Sequence, residues 1–205
     1  MAERMFKVLM FMVGISFLLP APGCRKDCKS YDILLTEQQK KQIPFEGREK
    51  IIFKHDTNEL VLNGTGRHDT IEKNLVSGYS CDYYNKESVS LTFEGENISL
   101  NLYMYARDKF HIKVVDFSQG LSMHASMLTA QSTGELSEYE ELIDSLTVNN
   151  SLYLNVYKDT VGVTYSFNTR DSMIYATYIY YSTDFGVVKI DFSDGSAWEL
   201  ENIEW

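Results

Sequence analysis

Residues 89–104 read VSLTFEGENISLNLYM, and this stretch decides the fold class. Apolar and polar side chains alternate on both sides of the central EGEN turn, which is the pattern of a half-buried antiparallel hairpin. A third alternating segment follows at residues 110–114, after a short polar turn. Three consecutive strands of this kind predict an antiparallel meander.

The same pattern recurs on both sides of this meander. Further strands are predicted at residues 51–54, 60–62, 75–85, 152–157, 161–167, 173–181, 188–192 and 198–200. Turn chemistry separates them at residues 63–66, 149–150 and 194–195, where Asn, Asp and Gly tolerate positive φ. About ten to twelve strands at this spacing predict an all-β fold, in which an antiparallel meander forms a sandwich or a half-barrel.

Three stretches depart from the strand pattern. Residues 34–42 predict one or two helical turns capped by Thr36, which end before Pro44. Residues 118–134 lose their periodicity and predict a long loop, a common location of functional residues. Residues 138–142 fit a short helix after a capping-box motif, while a strand through residues 146–148 competes with it.

The N-terminus has the features of a secretion signal. Arg4 and Lys7 precede an apolar run of 12 residues, Val8 to Leu19. A membrane-spanning helix needs about 20 apolar residues, whereas the core of a signal peptide needs about 7–15. The run therefore predicts export and not a retained membrane span.

The end of this signal resembles the lipobox of bacterial lipoproteins. Shortly after the apolar run, the small residue Gly23 leads directly into Cys24, whereas Ala21 and Pro22 depart from the usual pattern. The resemblance implies cleavage before Cys24 and attachment of acyl chains to its thiol and its new amino group. Several chains together would hold the protein stably on a membrane. The alternative is an ordinary secretion signal with Cys24 as a normal cysteine.

These observations divide the chain into a lipoprotein signal peptide (residues 1–23), a tether and lead-in (24–50), and an antiparallel β domain (51–205). Removal of the signal takes Arg4, Lys7 and Glu3 with it, so the net charge of −10 becomes −11, from 17 basic and 28 acidic residues. This charge argues against nucleic acid as a partner, because phosphates require a basic face. Membrane contact would then come from the lipid anchor.

Cys28 and Cys81 remain for a disulfide bond, which an oxidising compartment allows. Closing the loop between them would stabilise the fold by roughly 4 kcal/mol in the chain-entropy model. Two free thiols are the alternative.

The mature chain resembles small lipoproteins of Gram-negative outer membranes. The resemblance rests on Cys24 with Lys26-Asp27-Cys28, on Ile43-Pro44-Phe45, on the Tyr153–Tyr157 strand and on the hairpin between Ile179 and Ile190. That family has no assigned activity. The resemblance therefore implies an outer-membrane location, facing the periplasm or the surface, and an all-β domain, but no chemistry.

No motif predicts catalysis or a cofactor. The chain lacks a Gly-x-Ser-x-Gly elbow, a phosphate-binding glycine loop and a metalloprotease helix. His55-Asp56-Thr57 and His68-Asp69-Thr70 could offer ligands to a metal, but such tripeptides are also ordinary turn chemistry, and no metal site is predicted. Residues 79–82, Tyr-Ser-Cys-Asp, resemble the start of lysozyme-inhibitor domains.

Four Asp-Ser/Thr-apolar tripeptides match a pattern used for O-glycosylation by some bacteria. The hydroxyl residues concerned are Thr70, Ser145, Thr160 and Ser172.

The sequence as a whole predicts a membrane-tethered lipoprotein that acts as a non-enzymatic binding or structural module. Its partner would be an envelope protein or a glycan. The alternatives are a half-barrel that handles lipid or lipoprotein cargo, an inhibitor of a basic lytic enzyme and, in a different class, a metal-dependent hydrolase using His55 and His68.

Overall fold

The structure, a computed structural model, describes residues 28–76, 81–107, 110–127, 140–165 and 173–205. These residues form thirteen strands and one helix, α1 (Glu37–Lys40). The strands are β1 (Ser30–Ile33), β2 (Lys50–His55), β3 (Asn58–Leu75), β4 (Tyr83–Glu94), β5 (Ile98–Tyr105), β6 (Phe110–Asp116), β7 (Leu121–Met127), β8 (Glu140–Val148), β9 (Ser151–Thr160), β10 (Gly162–Tyr165), β11 (Ala176–Ser182), β12 (Gly186–Phe192) and β13 (Ala197–Glu204). In the described part of the chain, no helix is long and apolar enough to cross a membrane.

The predicted meander is confirmed in β4, β5, β6 and the strand that follows them. Leu91 lies opposite Leu102, and Leu102 lies opposite Ile112, so the apolar positions of neighbouring strands share one buried face. The all-β antiparallel class is confirmed as well, with one parallel pair, β1 on β4. Period-two alternation decides this arrangement because one face of every strand must leave water.

All thirteen strands belong to one sheet, not to the two stacked sheets of a sandwich. Its hydrogen-bonded order is β10-β7-β6-β5-β4-β3-β2-β13-β12-β11-β9-β8, and β1 lies beside β4. Strands β9 and β10 follow each other in the chain with only Val161 between them. The sheet therefore curls so far that this continuous segment pairs with two distant strands: β9 pairs with β11, and β10 pairs with β7.

A buried carboxylate joins β7 to β9 at this seam. The side chain of Asp159 accepts the backbone N–H of Ser126 at 2.9 Å and that of Thr160 at 2.8 Å. Only 5% of Asp159 is exposed. A buried carboxylate is stable here because backbone donors replace its lost water.

Large side chains fill the space inside the curled sheet. Phe53, Phe93, Phe110 and Tyr181 are almost completely buried in a single hydrophobic cluster. The hydroxyl of Tyr181 donates to the backbone oxygen of Gln42 at 2.6 Å. Burial raises the pKa of this hydroxyl, so it stays protonated as a donor.

The lead-in before β2 closes one end of the sheet. Phe45 is fully buried and packs against Phe93 and Trp205, with ring centroids 5.0 and 5.7 Å away. Gly186 lies directly against the Phe45 ring, where any Cβ atom would collide with it. Thr36 caps α1, as predicted, and completes a capping box with Gln39.

The predicted turn at residues 63–66 is wrong, because β3 continues through it with a bulge between Gly64 and Arg67. The reason is a tertiary contact. Gly47 lies so close to Gly64 and Gly66 that a Cβ atom on Gly47 would collide with the backbone of Gly66, and one on Gly64 would collide with the backbone of Gly47. Glu49 holds Gly47 there by accepting its N–H at 2.8 Å. These glycines permit a close approach instead of a turn.

Three other expectations also need correction. The loop predicted at residues 118–134 contains β7, while residues 128–134 lie outside the described chain. The extended segment predicted at 75–85 includes the connection between β3 and β4. The alternative helix at 138–142 is not formed in its described part, where β8 begins.

Candidate ligand-binding face

The outer surface of β4 to β7 carries a continuous set of polar and aromatic side chains. They alternate with the buried apolar residues of the same strands. We call this surface the Tyr–His face and define it by Ser90, Thr92, Asn101, Tyr103, Tyr105, His111, Lys113, Ser122, His124 and Ser126.

The strand registers align part of this face in one row. Ser90 lies opposite Tyr103, Tyr103 opposite His111, and His111 opposite Ser126. The rings of Tyr103 and His111 stack with centroids 4.8 Å apart and an angle of 12° between their planes. His111 Nδ1 and Ser126 Oγ form a hydrogen bond of 2.9 Å, which fixes the imidazole ring.

A parallel row contains Thr92, Asn101, Lys113 and His124. Thr92 donates to the side-chain oxygen of Asn101 at 2.9 Å. His124 Nε2 and Ser122 Oγ form a hydrogen bond of 2.9 Å. These contacts hold the polar groups in place before any ligand arrives, which reduces the entropy lost on binding.

A groove of about 380 Å³ runs across the two rows. Its walls include Tyr103, Tyr105, Lys113 and His124, and small residues of β4 form one side. The volume lies within the roughly 300–1,000 Å³ typical of small-ligand sites. The groove is therefore large enough for a small ligand that lies along the sheet.

The electrostatic character of the groove differs from that of the whole chain. Its described lining includes Lys113 and His124 but no Asp or Glu, although the chain has 29 acidic residues. Burial lowers the pKa of His124, and the nearby positive charges of Lys113 and His111 lower it further. His124 is thus mostly neutral at pH 7 and can donate or accept a hydrogen bond.

This arrangement offers several kinds of group that can contact a ligand. The described residues contain no group of three or more His, Cys, Asp or Glu side chains that could hold a metal ion. The groove instead combines tyrosine rings with hydroxyl, amide, imidazole and ammonium groups. Tyrosine offers an apolar face and a polar edge, a combination that recognises ligands with both apolar and hydroxylated surfaces.

The two histidines considered as metal ligands lie far apart. His55 ends β2 opposite Asn58, whereas His68 is ten residues further along β3. At about 3.3 Å per strand residue, this separation is roughly 33 Å. A metal site that uses both imidazoles is therefore excluded. His68 lies instead opposite Ser90, where it extends the central row of the Tyr–His face.

A second pocket, of about 170 Å³, lies where β2, β6 and β12 end. Asp116 and Asp194 line it, but each carboxylate already accepts hydrogen bonds within its own turn. Asp116 accepts the N–H and hydroxyl of Ser118, and Asp194 accepts those of Ser196. The bonds from Ser196 lower the pKa of Asp194. Both carboxylates therefore stabilise the turns in which they lie.

The other predicted sites have separate positions. Cys28 and Cys81 form a disulfide bond, with Cα atoms 5.2 Å apart. Thr70, Ser145 and Thr160 are exposed on strands, where their hydroxyls could be modified. Thr70 shares a hydrogen bond of 2.8 Å with Ser88 at the border of the Tyr–His face.

Two predicted sites, Cys24 and Ser172, lie outside the described residues, as does the signal peptide. The tetrapeptide that resembles lysozyme inhibitors is described only at Cys81 and Asp82. There Cys81 is in the disulfide, and Asp82 accepts the N–H of Lys29 at 2.8 Å.

Sequence reasoning missed the contribution of β7 to the Tyr–His face. Ser122, His124 and Ser126 fell within the predicted loop. A signal was available, since these three residues alternate with Leu121, Met123, Ala125 and Met127. Two methionines and an alanine are weak strand formers, which hides the period-two pattern.

No protein-family model, no curated protein and no solved structure matches this chain.

Proposed function

We propose that this chain is a lipid-anchored, non-enzymatic binding protein of the cell envelope that holds a glycan on its Tyr–His face. The main support for a glycan is the composition of the groove. Tyr103 and Tyr105 lie beside Asn101 and His124, whose side chains are oriented by hydrogen bonds. Sugar rings present apolar C–H faces and peripheral hydroxyls, which match tyrosine rings and polar side chains respectively.

The anchor is supported by the N-terminal sequence. An apolar run too short to span a bilayer leads into Gly23 and Cys24, as in bacterial lipoproteins. Acylated Cys24 would hold the domain on the outer membrane, facing the periplasm or the cell surface. Intact mass spectrometry of the membrane fraction tests this point: the expected mass starts at Cys24 with acyl groups, whereas an unlipidated soluble protein would overturn it.

The filled interior argues against a carrier of lipid or lipoprotein cargo. Such a carrier needs an apolar cavity, but Phe45, Phe93 and Phe110 occupy the inside of the sheet. A basic lytic enzyme would be attracted by the net charge of −10, yet the groove lacks the carboxylates that would contact it. Both alternatives therefore fit these contacts less well than a glycan does.

Titration calorimetry with the full chain, extracted from membranes, tests glycan binding. The probes are soluble peptidoglycan fragments and oligosaccharides from the lipopolysaccharide core. Tyr103→Ala should weaken binding about fivefold, because a stacked aromatic contact is worth roughly 1 kcal/mol. Tyr178→Ala is the matched control, since Tyr178 is a partly exposed tyrosine on another outer strand.

Two results would contradict the proposal. One is the absence of binding to either class of glycan. The other is an equal effect of the Tyr103 and Tyr178 substitutions, which would mean that the groove does not contact the sugar.

A further inference from the structure

A three-stranded ribbon extends from one end of the curled sheet. Strand β5 pairs with β4 only as far as Ser88, and β1 takes its place along Tyr83 to Lys86. On the other side of β4, β3 continues to Leu75. The ribbon therefore extends about five residues beyond β5, or roughly 17 Å.

The end of the ribbon is held together by several contacts. The disulfide joins Cys28, just before β1, to Cys81, just before β4. Val76 donates its N–H to the backbone oxygen of Asp82 at 3.0 Å, and Tyr83 donates to that of Lys29 at 3.0 Å. The described residues at the tip are thus anchored to one another.

Large apolar side chains are exposed on both sides of this tip. Leu75 lies opposite Tyr83 and Tyr31 lies opposite Tyr84, the next residue of β4, so these two side chains are on opposite sides of the ribbon. Leu75 is 63% exposed and Tyr31 is 51% exposed. Val76, which directly follows β3 at the tip, is 53% exposed, and Ile71, further along the ribbon, is 64% exposed. Packing against a second sheet would bury only one side of the ribbon. A tip with apolar side chains on both sides is instead suited to insertion into an apolar phase that surrounds it.

The position of the anchor identifies that phase. Cys24 lies four residues before Cys28, and four extended residues span at most about 14 Å. If Cys24 carries acyl chains, the ribbon tip cannot lie further than this from the lipid headgroups. The apolar tip is thus confined to the membrane surface by the length of the tether.

We propose that the ribbon tip, formed by Tyr31, Leu75 and Val76, inserts into the surface of the membrane that holds the acyl chains of Cys24. This inference rests on the proposed lipidation. Insertion removes exposed apolar surface from water, and Tyr31 suits the interface because its ring is apolar and its hydroxyl is polar. The anchor and the tip together orient the domain, because two attachment points prevent free rotation about the tether.

This orientation has a consequence for the Tyr–His face. The groove lies on the part of the sheet just beyond the ribbon. Tyr105, which is opposite Ser88, is the residue of the groove nearest to the ribbon. Insertion of the tip would hold the groove roughly 17 Å or more from the lipid. A glycan that projects from the envelope could then reach it.

Photo-cross-linking of the full lipoprotein tests the inference. The protein is reconstituted into vesicles of phosphatidylethanolamine and phosphatidylglycerol that contain a phospholipid with a diazirine in its acyl chain. After irradiation, the peptides that carry Leu75 and Val76 should be the main cross-linked peptides apart from the N-terminal one. The double variant Leu75→Ser/Val76→Ser should lose these cross-links.

Phe117→Ser provides the matched control. Phe117 is 65% exposed but lies in the turn after β6, beside Asn97 at the far end of β4 and β5. Its substitution should leave the cross-links at the tip unchanged. All three replaced side chains are exposed, so each variant should fold, and an intact disulfide measured by mass confirms this.

The outcomes separate the inference from the proposed function. Acylated Cys24 without cross-links at the tip would overturn the inference alone. An unmodified Cys24 would overturn the lipid anchor, and the inference with it.

Discussion

Two outer surfaces of the sheet are rich in tyrosine, but their charges differ. The Tyr–His face combines Tyr103 and Tyr105 with a groove whose described lining has no carboxylate. A second surface, on β8, β9, β11 and β12, is here called the Tyr–Asp face and is defined by Glu141, Lys158, Tyr178, Tyr180, Lys189 and Asp191. There the cations and carboxylates pair with one another.

On the Tyr–Asp face, the polar side chains pair with one another and are therefore less available to a ligand. Tyr180 donates its hydroxyl to Asp191 at 2.8 Å, and Lys189 lies 3.0 Å from the same carboxylate. Lys158 forms an ion pair with Glu141 at 3.2 Å and lies over the ring of Tyr178. Tyrosine content alone therefore does not predict a ligand site, because the neighbouring charges decide which polar groups remain available.

The largest effect is expected at the seam between the two faces. Asp159→Ala leaves the partly buried N–H of Ser126 without its acceptor, so the free energy of unfolding should fall by about 3 kcal/mol. Urea denaturation measures this loss. Asp144→Ala, on exposed β8, should change stability by less than about 0.5 kcal/mol. Equal losses would mean that the seam does not depend on this carboxylate.

A smaller effect is expected on the Tyr–Asp face. Burial and the neighbouring Asp191 raise the pKa of Tyr180, so its hydroxyl remains a donor. Tyr180→Phe removes this hydrogen bond and should lower the free energy of unfolding by about 1 kcal/mol while glycan affinity stays unchanged. Tyr178→Phe is the control and should be nearly neutral. A loss of affinity in Tyr180→Phe would show that this face also binds the ligand.

The smallest effect concerns the pH dependence of the Tyr–His face. The pKa of His124 is lower in the folded protein than in the unfolded chain, so the unfolded state binds more protons below about pH 6.5. Stability should therefore fall as the pH decreases through this range. His124→Asn should make the decrease between pH 7 and pH 5 shallower, as measured by urea denaturation. An unchanged slope would contradict a lowered pKa.

Much of the fold could be predicted because its signals are local. Residues 89–104 alternate so regularly that their hairpin is clear, and Asn149 and Asn150 adopt the positive φ that their turn requires. The bulge at Gly64 was mistaken for a turn, because the close approach of Gly47 cannot be seen in neighbouring residues. Strand β7 was missed because Met and Ala weaken its pattern.

The candidate site was predicted less well than the fold. In the sequence, His68 was considered as a metal ligand. The strand register instead places it opposite Ser90, which lies opposite Tyr103 on the Tyr–His face. The structure also shows that His111 hydrogen-bonds Ser126 on the neighbouring strand and that His124 hydrogen-bonds Ser122 on its own strand. Such neighbours depend on the pairing of strands and not on spacing in the chain.

The sequence by itself determined the all-β class and most of the turns, because side-chain alternation and turn chemistry act within a few residues. It also carried the N-terminal features from which a lipid anchor is proposed. Only the tertiary structure decided that the continuous segment of β9 and β10 pairs with both β11 and β7, that Phe45 is buried inside the curled sheet, and that residues of four strands form the Tyr–His face. Those outcomes depend on register and packing between distant segments, which no local pattern specifies.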